Sequence, residues 1–564
     1  MSVAAAFTIR FLPDERSVAS DKPIALSRAA FKAGVLLEHP CGSKANCGKC
    51  NVRFLEGVPE PTLADNLLFT NDELDAGWRL SCQAVCRADC VVEVPQIAHD
   101  SHTKSFNVEE SATTDSPPMV WRRDTDAGRE IVVNGEVTRL VDGRDESDLI
   151  GVAIDIGTTT LAAALVNLTT NEVLAQESRL NPQVAWGNDV ISRIDHAMRH
   201  SEGNAQLHEV LVHALDEMIN AMSAGADINP ADDIQALTVA GNPAMMHTFV
   251  GADVTPLGLA PFEGSWCAAR TVMAGETGFK TLAPTTPILL LPMVHGNVGA
   301  DIVAAIIAAR IDQDDALTLM IDLGTNSEIV LGNRHRLIVT SAAAGPAFEG
   351  ATISQGMRAC EGAIFRVDPD PEGNVVSAVL GGRKARGICG SGLIDAVAAL
   401  LRNGKINETG WMQEPVELAS PSQSHDGKPV LLVANDVRQL QLVKGSILAG
   451  ARMLMKQWGC SPEDLDRVLV AGAFGQNVRK ESLLTIGLIP SVTLSKVTFL
   501  GNAAGVGARL ALTDREAWQR AIRVGEMAEY CELAGNSDYV EELGEAMMFL
   551  DSESEIIRGL EPET

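Results

Sequence analysis

The sequence predicts an α/β chain in three parts: a small strand-rich N-terminal domain, a polar linker, and a large body of two α/β lobes. Three observations predict it. Four cysteines follow the pattern Cys41-x5-Cys47-x2-Cys50-x31-Cys82, between short stretches that alternate like strands. A Ser/Thr-rich stretch then ends in Pro117–Pro118. Beyond it, two apolar runs each end in Asp-x-Gly-Thr, at Asp155 and, 167 residues later, at Asp322. The length of 564 residues exceeds one ordinary core and suggests three or four domains, and a hydrophobic content of 46% says that most of the chain folds. The formal charge of −29 argues against nucleic-acid and membrane partners, since both present anionic surfaces.

The N-terminal domain is expected over residues 1–95. "AAFTIRFL", "KCNVRFLEG" and "CVVEVP" read as strands, and "ALSRAAFKAG" as a short helix. Three cysteines in one loop with Gly42, Ala45 and Gly48 differ from the two close pairs of most zinc sites, although zinc and plainly buried thiols remain alternatives. Small residues let a loop wrap a cluster whose sulfides accept backbone N–H bonds. The spacing is that of plant-type binuclear clusters with one residue added in the first gap. Residues 5–95 resemble the [2Fe–2S] ferredoxins of ubiquitin-like, β-grasp fold, and C-x5-C-x2-C is similar to the adrenodoxin type. Cys90, in the alternating "DCVVEV", reads as structural, as do the scattered Cys360 and Cys389.

A flexible linker is expected over 96–125, polar and closed by the proline pair. "REIVVNGEVTRLV" predicts two strands about an Asn-Gly turn, a small hairpin within 126–149. Lobe I is expected over 150–310 and lobe II over 311–510, with the chain returning to lobe I near the end of that range. Residues 511–564 read as a helical, acidic tail.

The two Asp-x-Gly-Thr turns carry the chemistry expected of the body. A glycine after the carboxylate permits a turn that points backbone N–H groups at an anion. Hydroxyls add donors, and the carboxylate can hold Mg²⁺ or its waters against phosphate oxygens. The first turn supplies Asp155, Gly157, Thr158 and Thr159; the second supplies Asp322, Gly324, Thr325 and Asn326. Neither fits the P-loop or Rossmann patterns. "VLVAGAFGQN" adds Gly472 and Gly475 as a slot for a nucleoside, and "GICGSGLIDAVAAL" adds a glycine turn entering a helix.

This order resembles the actin–hexokinase class of ATPases, two α/β lobes around a nucleotide cleft. "MVHGNVGADIVAAI" and "FLGNAAGVGARLAL" look like its connecting helices, and Asp301 becomes a candidate for positioning the attacking water, with a helix-end role as the alternative. The stretches "LNPQVAWGNDVISRI", "GNPAMMHTFVG", "IDLGTNSEIVLG", "SAAAGPAFEGATISQGMRACEGAI" and "GICGSGLIDAVAAL" closely resemble the ATP-dependent reductive activators of corrinoid proteins. That resemblance implies one-electron reduction of Co(II) to Co(I) in a corrinoid protein of a methyltransferase system, with a [2Fe–2S] cluster, ATP and Mg²⁺ as cofactors. It implies Cys41, Cys47, Cys50 and Cys82 as cluster ligands, Asp155 and Asp322 as metal and water holders, and Gly472 and Gly475 beside the adenosine. A corrinoid protein and an external low-potential electron donor are the implied partners, a homodimer is a candidate assembly, and the expected location is the cytoplasm. Members of the family carry a fuller middle domain, and the hairpin at 126–149 is the space this chain leaves for one. A kinase with a redox-sensing ferredoxin, and an activator of another redox enzyme, are the alternatives.

Overall fold

The computed structural model describes residues 6–35, 37, 39, 43, 45, 48–94, 117–126, 128–141, 148–324, 326–370, 374–472 and 478–550. The chain divides into two compact units, residues 1–99 with 180–211, and residues 100–179 with 212–564.

In the first unit a five-stranded sheet runs in the order Arg16–Ser20, Phe7–Leu12, Cys90–Glu93, Asn51–Glu56, Trp78–Leu80. Phe7–Leu12 and Cys90–Glu93 are parallel and the other neighbours antiparallel, the β-grasp arrangement expected for this domain. Alternation sends Ile9, Phe11, Val52, Phe54 and Val92 inward onto the helix Leu26–Lys32. Cys86 and Cys90 belong to this core. The helices Leu63–Leu68 and Asn71–Asp75 each begin in a capping box, from Thr62 and Thr70.

In the second unit, Glu136–Val141, Gly128–Val133 and Val120–Thr125 form a three-stranded antiparallel sheet. Asn134 (φ 49°) and Gly135 (φ 91°) make the two-residue turn, which favours these residue types because both φ values are positive. The third strand corrects the linker boundary placed at residue 125. Met119 and Val120 are buried, the Pro117 carbonyl accepts from Arg515 N at 3.1 Å, and Pro118 bridges to Asp514, so the proline pair is anchored to the body. The remainder of the expected linker, residues 96–116, lies outside the described residues.

The body holds two six-stranded sheets of one design. In the first the order is Val173–Leu180, Thr160–Asn167, Ile150–Ile156, Ile234–Gly241, Pro287–Leu290, Arg270–Met273. In the second it is Val497–Gly501, Arg467–Ala471, Thr318–Asp322, Ser327–Asn333, Arg336–Ala342, Ala528–Tyr530. In each, the strand that carries the Asp-x-Gly turn is central, antiparallel to the next strand in sequence and parallel to the one on its other side. The last strand, Ala528–Tyr530, takes part of the expected tail into the second sheet. Against the first sheet the helices Ala300–Ala308 and Ala503–Thr513 pack on each other so closely that any side chain at Gly507 would overlap the Ala304 carbonyl. Among the described residues no helix is long and apolar enough to cross a membrane.

Candidate functional site: a cleft of carboxylates and phosphate turns

One cleft in the second unit gathers most of the described residues singled out in the body. Its lining includes Asp155, Gly157, Thr158, Thr159, Asp301, Asp322, Gly324, Asn326 and Gly472. Thr325 and Gly475 lie outside the described residues.

The first turn leaves the wholly buried strand Ile150–Ile156. Gly157 N bonds the Thr160 carbonyl at 3.2 Å, and the Thr158 hydroxyl accepts from Asn242 Nδ2 at 2.9 Å. Asn242 also caps the helix Pro243–Phe249 by accepting from Met245 N, so the strand end Gly241 and the turn are fixed to each other. The second turn leaves Thr318–Asp322. Here Gly472 (φ 97°) is required twice over: its φ is positive, and a Cβ would stand 2.8 Å from Asp322 Oδ1 and 2.6 Å from the Leu323 carbonyl. Gly472 therefore abuts the second turn itself, a placement that the strand-glycine pattern did not reveal.

Asp301 enters from the first turn of Ala300–Ala308. Its neighbour Gly299 is the N-cap, and a Cβ there would stand 2.5 Å from Asn242 Cα and 2.6 Å from Asp301 Oδ1. Asp301 Oδ1 accepts from Ile302 N at 2.9 Å. The carboxylate thus has a local backbone bond and faces the cleft as well. Burial, then Asp322 and Asp155, push its carboxyl up to about 7. Glu328, one strand over from Asp322, is raised well above the usual range by burial and by Asp301 and Asp322. Asp301 and Glu328, raised by burial and by acidic neighbours, stand with Asp155 and Asp322 in a cleft rich in carboxylates, which fits a divalent cation and phosphate-bound water. Among the described residues no group of three or more His, Cys, Asp or Glu is close enough to hold a metal alone. A cation here would need oxygens from a ligand, as Mg²⁺ commonly takes from phosphates.

Sequence reasoning assigned no individual role to Glu328, Asn242, Glu349, Arg358 or Asn502, all in the lining, although the stretches that hold Asn242 and Glu349 read as parts of the cleft or of the partner-facing side. Glu328 carried a signal: it is the one charged residue in the buried run "SEIVLG". The motif histidines stand elsewhere. His247 is fully buried, with Nδ1 at 2.7 Å from the Pro243 carbonyl and Nε2 accepting from Ser265 N at 3.0 Å, so it is a satisfied core side chain. His295 stacks on Tyr530 with centroids 3.9 Å apart. Cys389 is buried and its thiol donates to the Ile364 carbonyl at 3.3 Å.

In the first unit Cys50 and Cys82 bring their sulfurs to 3.3 Å, while Cys41 and Cys47 lie outside the described residues. The Cys50 thiol is pushed up by its bond to Cys82 and then by burial. Two thiols this close cannot both ionise in the absence of a cation, and a metal that takes both as thiolates relieves that conflict. Cys86 and Cys90 pair with each other instead, 3.6 Å apart within the core. Ser81, beside Cys82, bonds Cys50 O through its N–H at 2.7 Å and lies 3.1 Å through Oγ from His39 Nε2.

Comparison with known proteins places three family models along the chain. A 2Fe–2S iron–sulfur cluster binding domain matches residues 10–87, the RACo middle region 150–314, and the C-terminal, ASKHA domain of RACo 316–560. The middle region thus coincides with the first six-stranded sheet and its helices, and the hairpin at 126–149 is not a reduced form of it. A corrinoid activation enzyme, RamQ of Eubacterium limosum, is 33% identical over 75% of this chain and 74% of its own length. A reductase of the Co(II) methylated amine-specific corrinoid protein from Methanosarcina barkeri is 27% identical over 67% of this chain and 72% of its own. A solved structure, a reductive activator for a corrinoid, iron–sulfur protein, superposes with a TM-score of 0.71 at 27% identity, covering 98% of this chain and all of that one.

Proposed function

Because this chain belongs to the family of ATP-dependent reductive activators of corrinoid proteins, we propose that it passes one electron from its [2Fe–2S] cluster to a corrinoid protein. The step is Co(II) plus one electron giving Co(I), with ATP hydrolysed in the cleft. The observation that carries the reading is the joint presence of a cysteine loop of ferredoxin type and an acidic, two-turn cleft in a chain related to RamQ over most of its length. A small-molecule kinase would share the cleft but has no use for the cluster domain.

In this reading Cys41, Cys47, Cys50 and Cys82 hold the cluster, whose chemistry is one-electron transfer. Asp155 and Asp322 hold Mg²⁺ or its waters against the phosphates, and Gly157, Thr158, Thr159, Gly324, Thr325 and Asn326 offer backbone and side-chain donors to them. Asp301, held high by burial and by its two acidic neighbours, can take a proton from an attacking water near neutral pH. Gly472 keeps the second turn clear for Asp322, and Gly475 is assigned to the nucleoside. The partner is a corrinoid protein of a methyltransferase system, and an external low-potential carrier or reductant recharges the cluster. A homodimer and a cytoplasmic setting complete the proposal; the latter fits thiols that must stay reduced.

ATP matters because Co(II) to Co(I) is uphill for an ordinary [2Fe–2S] centre. Mass action through methyl trapping can pull the electron forward, but only a nucleotide-dependent conformation can change the cobalt environment. The test uses the intact chain and its corrinoid partner. Cys82→Ser should abolish cobalt reduction with ATP hydrolysis retained, and Asp155→Asn should abolish ATP-dependent reduction with the cluster still reducible. Loss of both activities in both well-folded variants would refute the division of labour, and phosphorylation of a small molecule would favour a kinase.

A further inference from the structure

Two asparagines that line the cleft each follow a strand-ending glycine and begin a helix, yet they use their amides differently. Asn242 Oδ1 accepts from Met245 N, and Asn242 Nδ2 donates to the Thr158 hydroxyl at 2.9 Å. Asn502 caps the helix Ala503–Thr513 in the same manner: Oδ1 accepts from Gly505 N at 3.1 Å and the main-chain carbonyl accepts from Val506 N at 3.1 Å. Its Nδ2, however, is buried with no hydrogen-bond partner among the described residues. The residue is only 7% exposed, so water does not cover the amide freely. The cap also fixes which amide atom is which, because the Gly505 N–H needs an acceptor. A buried donor left unmet costs free energy, so this nitrogen calls for an acceptor from outside the chain.

Its place is set by the second phosphate turn. Gly501 closes the strand Val497–Gly501, and its carbonyl accepts from Gly472 N at 3.0 Å. Gly472 in turn abuts Asp322 and the Leu323 carbonyl. Asn502 therefore stands one residue beyond a strand end tied to that turn. Ala503 and Ala504 line the cleft beside it, and their N–H groups precede the first intrahelical bond. The helix has 11 residues, so its N-terminus carries the positive end of a macrodipole. The same helix packs on Ala300–Ala308, which brings Asp301 to the cleft. An amide nitrogen only donates, so it cannot ligate a cation. An attacking water must give its proton to a base and keep a lone pair for phosphorus, so it is not the acceptor either. A phosphate oxygen is an acceptor, is anionic, and suits both the amide and the helix end.

We propose that Asn502 and the N-terminus of Ala503–Thr513 form a further phosphate subsite of this cleft, in which Asn502 Nδ2 donates to a phosphate oxygen of the bound nucleotide. The subsite rests on the reading of the cleft as a nucleotide site. It deepens that reading by adding a neutral donor and a helix end to a cleft otherwise rich in carboxylates. The two turns then offer the phosphates a cation held by carboxylates, and Asn502 offers them a contact that needs no cation. The contrast with Asn242 fits this division: its amide is spent on holding the first turn, and that of Asn502 is left for the ligand.

The experiment uses the full chain with its cluster, Mg²⁺ and a non-hydrolysable ATP analogue, and reads two quantities: affinity by calorimetry and the thermal midpoint of the empty protein. Two variants keep a competent helix start and remove the donor. Asn502→Gly leaves neither donor nor charge, and Asn502→Asp keeps the cap and sets a carboxylate where the nitrogen stood. Both should hold the empty-state midpoint within about 2 °C of wild type, because Gly and Asp begin helices nearly as well as Asn. Asn502→Gly should bind the analogue about ten- to hundredfold more weakly, the scale of one hydrogen bond to a charged group, and Asn502→Asp more weakly still. A residue that served only as a cap would show no loss of affinity in either. Wild-type affinity in either folded variant, or a loss of affinity matched by an equal loss of empty-state stability, would overturn the subsite while leaving the nucleotide reading intact. No binding of the analogue by the wild-type chain would overturn the nucleotide reading, and the subsite with it.

Discussion

Replacing Asp322 by Asn should make the protein more stable when empty and less stable when loaded. Asp322 raises the carboxyls of both Asp301 and Glu328, so its charge is a cost in the empty cleft. Asp301 is lifted from 3.8 to about 7 by three causes, of which Asp322 is the second. The whole lift corresponds to about 4 kcal/mol at ~1.4 kcal/mol per pH unit, and a share of about 1 kcal/mol for Asp322 is the relevant scale. Asn is isosteric and leaves the strand pairing of Asp322 with Glu328 and Ala471 in place. At pH 8 without Mg²⁺ the midpoint of thermal unfolding should therefore rise by about 1 to 3 °C. With Mg-ATP at ~100 times its Kd the wild-type protein gains about 2.7 kcal/mol by linkage, and the variant gains little because its cation holder is gone. The order of stability thus reverses on adding Mg-ATP, and hydrolysis falls by at least about a hundredfold. Paired thermal scans and a phosphate-release assay check this. A variant less stable in both conditions, or one that hydrolyses ATP normally, would refute the argument that these carboxylates await a cation.

Three further outcomes follow from other parts of the molecule. Arg520 and Asp312 form a buried two-point pair at 2.7 and 2.6 Å, and Arg520 also bonds the Ile307 carbonyl at 2.8 Å; Arg520→Ala should cost about 3–5 kcal/mol in chemical denaturation, whereas Arg520→Met with Asp312→Leu should cost less. Lys444 is fully buried over the Phe549 ring, donates to the Met548 carbonyl, and is lowered by burial and then by Arg452 from 10.5 to about 7. Its folded pKa lies below the unfolded one, so the penalty is complete below pH 7 and fades as pH rises toward the ordinary lysine value. Lys444→Met should accordingly be more stable than wild type at pH 7, with the gap shrinking by about 1.4 kcal/mol per pH unit above that. Cys82→Ser should lower or alter cluster iron and the reduced-state EPR signal, while Cys86→Ser, in the core pair, should leave both unchanged.

The fold was legible wherever local chemistry and tertiary packing agreed. The Asn134-Gly135 turn, the alternating strands of the first domain and the paired Asp-x-Gly turns each combine a backbone requirement with a burial pattern. Val120–Thr125 was not legible, because "VWRRDT" is polar and only its pairing with Gly128–Val133 makes it a strand. The grouping of residues 180–211 with the N-terminal domain is set by long-range packing, and no periodicity announces it. In the cleft, Asp155, Asp301 and Asp322 could be found because each ends a strand or begins a helix beside glycine. Glu349 and Arg358 sit in a segment without regular structure, where no spacing predicts the direction of a side chain. Gly472 was recognised as important, but its neighbour, the Asp322 carboxylate 150 residues earlier, emerges only from the parallel pairing of their strands.

The most direct measurement is the visible spectrum of the corrinoid partner, held as Co(II), mixed anaerobically with this protein and a chemical reductant whose potential is varied. With ATP and Mg²⁺ the Co(I) bands should appear at potentials where they are absent without nucleotide, and Cys82→Ser should remove them. Equal Co(I) formation with and without ATP at every potential would contradict the account.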